Sequence, residues 1–187
     1  MPYVGQTITE VFPTSISVDT ATIATANISN QLTDANMPAG SMIQIVQTGA
    51  IANLTTTTKG SFVDTNYTLA ITPSVSSHKI LISWTIPWRI TGAGSITRGG
   101  WKLVRTVAGG SAVDIFNTDD YVGMMQSRGS MTQWDNVYAG EFLDSPSTTS
   151  AVTYKYQFIL NNDTSITSFQ AHTNTRGGAM NLKEIVA

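Results

Sequence analysis

At 187 residues the chain suits one large domain, or one domain with an extended arm, and it can bury enough core to need neither metal nor disulfide. It has no cysteine, which excludes disulfide frameworks, thiol nucleophiles and Cys-ligated zinc together. Only 12% of residues are charged, the net charge is -2, and no basic run could neutralise several phosphates, so nucleic acid is not an expected partner.

Solubility therefore rests on Thr, Ser, Asn and Gln, which are poor helix formers, while Thr is favoured on strands. No apolar run approaches the roughly 20 residues of a membrane-spanning helix, so no membrane partner is expected. The start, MPYVGQTITE, lacks the basic and apolar stretches of a signal peptide, and the chain is expected to be made in the cytoplasm.

Residues 1–40 carry scattered apolar side chains, Ile16, Val18, Ile23 and Ile28 among them, without a helical face. They are read as an extended N-terminal arm whose short alternating pieces, 15–18 and 21–28, can add to the sheet edge of another subunit. Met37-Pro38-Ala39-Gly40 closes the arm with a turn signal. A domain of recurrent strands, 41–187, follows.

Residues 41–48 open it, with neither face cleanly apolar, as suits an edge or interface position. Strands are predicted next at 61–64 and 67–72, the latter ended by Pro73. The segment 79–86, dense in β-branched and aromatic residues, reads as the central strand. Strand 99–107 is bracketed by Gly99-Gly100 and Gly109-Gly110 as turns, and Gly92-Ala93-Gly94 reads as a hairpin turn. Strands 112–116, 136–143, 152–160, 166–170 and 179–186 complete the set. Among them 152–160 alternates most clearly, Tyr154, Tyr156 and Phe158 against Thr153, Lys155 and Gln157. The expected fold is all-β, an antiparallel jelly-roll-like β-sandwich behind an extended arm.

Chemistry has few places to reside. His78 and His172 lie in Ser- and Thr-rich stretches and are read as exposed loop residues with no orienting partner. No nucleophile elbow, phosphate loop or zinc motif is present. Asp119 and Asp120 suit a solvated turn better than a calcium site, which needs ligands from distant loops. No catalytic, cofactor or metal residues are expected. Trp84, Tyr154 and Tyr156 belong to the core by their strand pattern. Trp88 beside Arg89, and Trp134, are expected at an exposed interface, with Tyr121, Met124, Met125 and Met131 making 121–136 the preferred contact loop.

Several phrases resemble a class of β-sandwich structural modules of tailed bacteriophages, common in marine and cyanobacterial phages. The opening Met37-Pro38-Ala39-Gly40-Ser41-Met42-Ile43-Gln44-Ile45-Val46-Gln47 is similar to theirs. So is Phe62-Val63-Asp64-Thr65 leading to Ala70-Ile71-Thr72-Pro73-Ser74 and Ser76-Ser77-His78-Lys79-Ile80-Leu81-Ile82. Leu103-Val104-Arg105, the stretch Leu143-Asp144-Ser145-Pro146-Ser147-Thr148-Thr149-Ser150-Ala151-Val152-Thr153-Tyr154, and Asn181-Leu182-Lys183-Glu184-Ile185 match the later strands.

The resemblance covers residues 37–187. It implies a non-enzymatic virion structural protein on the particle exterior, typically a homotrimer. The favoured post is a capsid decoration or cement protein bound to the major capsid protein. The alternative is a tail-fibre or receptor-binding head, joined to a tail adaptor protein and contacting host polysaccharide. A secreted carbohydrate-binding or glycosidase domain is disfavoured by the missing signal peptide and acid pair.

Overall fold

The computed structural model describes residues 37–49, 51–92, 96–117, 125–128, 132–160, 166–171 and 177–187. Their strands are β1 (Met42–Gln47), β2 (Leu54–Thr56), β3 (Val63–Ile71), β4 (Lys79–Gly92), β5 (Ile96–Val107), β6 (Ala112–Asn117), β7 (Met125–Arg128), β8 (Gln133–Asp144), β9 (Val152–Leu160), β10 (Ile166–Ala171) and β11 (Ala179–Ile185). They form two antiparallel sheets packed face to face, the all-β sandwich expected from the sequence.

Sheet A is organised by β4. One side of β4 pairs with β8 from Ile80↔Asp144 to Thr91↔Gln133. The other side takes two partners in succession, β11 against Lys79 to Thr85 and β10 against Trp88 to Gly92. Beyond β11 lies β1, and beyond β10 lies β2. The handover falls at Pro87. Proline has no N–H and normally interrupts an interior strand. Here it sits between the last β11 pair and the first β10 pair, and its Cδ faces Gly178, where no ladder bond is required. The strand therefore continues through a buried proline, and the predicted end at Ile86 is corrected to Gly92.

Sheet B has the order β3-β9-β5-β6. β5 pairs with β9 from Gly99↔Leu160 to Val107↔Val152, and its other edge is shared by β7 and β6. Gly99 and Gly100 are thus buried strand residues, which corrects their reading as a turn. Glycine accepts extended backbone as well as turns, and the pairing of Trp101 and Leu103 with β9 carries the strand through them. β4 and β5 lie in different sheets, so the connection after Gly92 is a crossover between sheets and not a hairpin turn.

The alternation of β9 buries Val152, Tyr154, Tyr156, Phe158 and Leu160, as its sequence predicts. Facing them across the sandwich are Ile82, Trp84, Tyr138, Phe169 and Leu182. Trp101 stacks on Tyr138 at 5.0 Å between ring centroids and meets Phe158 edge-on at 4.8 Å, while Trp84 lies 4.9 Å from Tyr156. Such aromatic pairs add about 0.5–1.5 kcal/mol each beyond their burial.

A polar clasp joins the sheets at one end. Asp144 of β8 accepts two bonds from Arg105 of β5, at 2.8 and 3.0 Å, and one from the Tyr154 hydroxyl of β9 at 2.7 Å. Burial, and then the Asp144 carboxylate, push the Tyr154 hydroxyl well above the usual phenol range, so it stays a donor. Tyr154→Phe is expected to cost about 1–2 kcal/mol, read as a lower unfolding midpoint in urea. An unchanged midpoint would show that the Arg105 bonds suffice.

Candidate assembly surface

The two outer faces of the sandwich differ. On sheet B, charges on neighbouring strands pair diagonally: Lys155 with Asp64 at 2.7 Å and Lys102 with Asp114 at 3.1 Å. Gln157 also donates to Asp64, and Lys102 lies over the Phe62 ring at 4.5 Å. This is a self-satisfied, solvated face.

Sheet A is built otherwise. Its even-numbered β4 residues turn inward, so Lys79, Leu81, Ser83, Thr85 and Arg89 face out. The ladder then places Leu143, Leu81, Lys183 and Ile45 in one row across β8, β4, β11 and β1. Ile185 and Met42 lie beside this row, next to Lys79. Leu143 is 49% exposed, Ile45 56% and Met42 53%. An apolar row this open, on a face that otherwise mixes Ser83, Thr85 and Asn181 with charged residues, is the kind of surface that marks a candidate contact. Lys79, Glu141 and Lys183 also belong to this face, and none of them has an ion-pair partner among the described residues.

Arg89 lies on the same face, towards its other end. Its guanidinium grips Asp135 of β8 with two bonds, 2.6 and 3.0 Å, and Gln133 donates to the same carboxylate. The hydrogen bond to Asp135 raises the Arg89 pKa further and fixes the cation in place. Trp88, expected at an exposed interface, is 2% exposed and lies in the core. It faces Trp134 edge-on at 5.2 Å, with Trp134 half-buried. The reason is parity: once β4 runs through Pro87, Trp88 falls on the inward side with Trp84 and Ile86.

Of the remaining predicted contacts, Ile16, Val18, Ile23, Ile28, Tyr121, Met124 and Met131 lie outside the described residues, as does His172. Met125 is placed by its backbone in β7, opposite Gly99. The segment 121–136 is not wholly a loop, since β7 and the start of β8 fall within it. Ile45, Met42, Leu81 and Leu143 were not singled out by sequence. The mixed faces of 41–48 were a signal for Ile45 and Met42, and none pointed to Leu81 or Leu143.

His78 is also corrected: it is buried at the inner end of the turn between β3 and β4. Its Nδ1 lies 2.8 Å from Oε1 of Glu184, a fully buried carboxylate on β11. The same oxygen accepts from the Ser74 N–H and hydroxyl, both at 2.7 Å, and Oε2 accepts from Gln44 of β1 at 2.6 Å. Ser, His and Glu here do not make a nucleophilic triad, in which the serine must address the histidine nitrogen remote from the acid. Ser74 and His78 Nδ1 converge on one carboxylate oxygen instead. The arrangement anchors the 72–78 turn to β11. Among the described residues no group of three or more His, Asp or Glu side chains is placed to hold a metal ion.

No protein-family model matches the chain, and no curated protein matches it by sequence. Among solved structures it is similar to a chain of the T13 particle of infectious bursal disease virus, at 8% identity and TM-score 0.48, over 75% of this chain and 30% of that one. A chain of the Gt strain of the same virus gives 12% identity and TM-score 0.47, over 94% and 43%. A marine algae virus of the order Picornavirales gives 11% identity and TM-score 0.21, over 100% and 89%. The chain thus spans less than half the length of the bursal disease virus chains it matches. Likenesses of this size carry no argument about role, which rests on the chain's own residues.

Proposed function

We propose that this chain is a non-enzymatic structural protein of a bacteriophage virion, mounted on the outside of the head as a decoration or cement protein that binds capsomers of the major capsid protein as a homotrimer. The observation that carries the reading is the outer face of sheet A, where exposed apolar residues and unpaired charges coincide on a rigid sheet. The module resemblance supports it from a second direction. Its signature residues Ser74, His78, Glu184, Arg105, Asp144 and Tyr154 are the ones that make the two buried polar clasps. Residues 1–40, with Ile16, Val18, Ile23 and Ile28, are proposed to reach neighbouring subunits, and Tyr121, Met124, Met125 and Met131 to add a further contact.

Cryo-electron microscopy of the purified particle tests this. The expected result is density for the sandwich over the whole icosahedral shell, at a copy number approaching that of the major capsid protein. Density confined to the tail would overturn the cement role in favour of a fibre head. The groove lined by Gln47, Thr48, Asn66 and Thr68, with a volume of about 330 Å³, would then be the surface to examine for host polysaccharide.

A further inference from the structure

We infer that the open edge of β8 pairs antiparallel with the β8 edge of a second copy of this chain, about a twofold axis through Val137. The inference goes beyond the assembly reading and does not rest on it, since it uses the edge of sheet A and not its outer face.

The ladder shows what the edge offers. Among the described strands β8 pairs only with β4, over 12 residues without a register shift. The Gly92 N–H donates to the Thr132 carbonyl, one step beyond the pair Thr91↔Gln133, so the even-numbered residues of β8 are the ones bonded to β4. Gln133, Asp135, Val137, Ala139, Glu141 and Leu143 therefore turn their N–H and C=O groups away from the sheet. The Val137 N–H agrees with this parity, because it is met by the Asn136 side-chain oxygen at 2.7 Å and not by β4. β8 has no proline, lysine or bulge, the devices that commonly blunt an open edge.

The side chains favour a second copy as the occupant. Pairing centred on Val137, which is 44% exposed, sets that apolar residue against itself and Asp135 opposite the partner's Ala139. Gln133 falls opposite the partner's Glu141, an amide donor against a carboxylate with no ion-pair partner among the described residues. On the inner side the half-buried Trp134 falls opposite the partner's Gly140, which has no side chain to obstruct it. Asp135 and Glu141 then lie about 14 and 28 Å from their own copies. Asp135 and the partner's Glu141 are offset by two residues, and Arg89 already neutralises Asp135. Centring on Tyr138 would instead set those two carboxylates face to face, and centring on Asn136 or Ala139 would set one of them on Val137.

About nine paired residues make a small contact, so a dissociation constant of roughly 10–100 µM is expected. Sedimentation velocity of the full chain, from about 1 to about 300 µM, is the test. The expected result is a mass that doubles with concentration, whether the starting unit is one chain or a trimer held through another surface. Ala139→Pro is expected to weaken doubling about tenfold or more with little change in thermal unfolding, since the N–H it removes faces the open edge. A second pair of variants decides the matter even if the proline disturbs folding. The chain has no cysteine, so Val137→Cys places a single thiol at the axis, where mild oxidation is expected to link it to its copy. Leu143→Cys, about 40 Å from its own copy, is expected to stay unlinked. A mass independent of concentration, doubling unaffected by a folded proline variant, or equal linking at both cysteines overturns the pairing. The cement role would fail separately, by where the chain lies on the particle.

Discussion

Replacing Glu184, the most deeply buried charged side chain among the described residues, by leucine is expected to cost about 3–5 kcal/mol. The carboxylate is fully buried and is the shared acceptor for Gln44, for the Ser74 N–H and hydroxyl, and for His78. Leucine fills the volume but leaves those donors facing one another without an acceptor. Glu184→Gln keeps the shape and offers one acceptor oxygen, so its loss should be smaller, about 2 kcal/mol. Urea unfolding at neutral pH ranks the three proteins.

The same network sets a pH dependence. Burial alone would raise the Glu184 pKa, but the hydrogen bonds from Gln44, Ser74 and His78 outweigh it and hold the group below its ordinary 4.5. The unfolded chain therefore takes up this proton more readily than the folded one. The contribution is fully present above 4.5 and is lost as pH falls through the folded value. The stability gap between the parent and Glu184→Gln should hold steady above 4.5 and narrow below it. A gap that widened in acid would reverse the sign and refute the account.

Gly178→Ala is the second large effect, expected at about 2–4 kcal/mol. A Cβ at this position would overlap the Tyr67 hydroxyl and come within 2.7 Å of Pro87 Cδ and 2.8 Å of the Thr85 carbonyl oxygen. Two of these three obstacles are ring and backbone, and Tyr67 is wholly buried, so none can yield cheaply. Gly177→Ala is the matched control, because nothing lies within 4 Å of the Cβ it would add. That variant should stay within about 0.5 kcal/mol of the parent. Equal thermal shifts for both would mean that the close packing over Pro87 is not what the glycine serves.

Strand periodicity was legible wherever one face is buried and the other is wet. β9 was read to its correct ends because its Tyr and Phe residues alternate with Thr, Lys and Gln over its whole length. Local rules failed where tertiary pairing overrides them. Proline at 87 stopped the reading of β4 and sent Trp88 to the surface, since nothing local reveals that the neighbouring strand changes at that point. β2, three residues in a threonine run, has too short a pattern to recognise, and Gly99-Gly100 carries no side chain to report its face.

His78 looked exposed because its partner is 106 residues away. The candidate assembly surface was hidden for a related reason. Its row draws one residue from each of four strands, and only the register brings Leu143, Leu81, Lys183 and Ile45 together. The module-like phrases were readable but silent about a post, because they mix residues that hold the sandwich closed, such as Asp144 and Glu184, with residues of its outer face, such as Leu81 and Leu143.

The pairing of β4 governs the order in which this molecule can come into being. Among the described strands, β5 and β6 are the one pair adjacent in the chain, while β1 and β4 both wait for β11, and β3 waits for β9. As the chain leaves the ribosome, the inward stripe of Ile80, Ile82, Trp84, Ile86, Trp88 and Ile90 lacks its cover from β9 until that strand has been made, and β4 lacks its β11 neighbour for longer still. Folding dominated by such distant partners is slow, and exposed strands meanwhile recruit one another. A protein with this wiring leaves unpaired strands open to association while it is being made, whatever its stability once the last strand is in place.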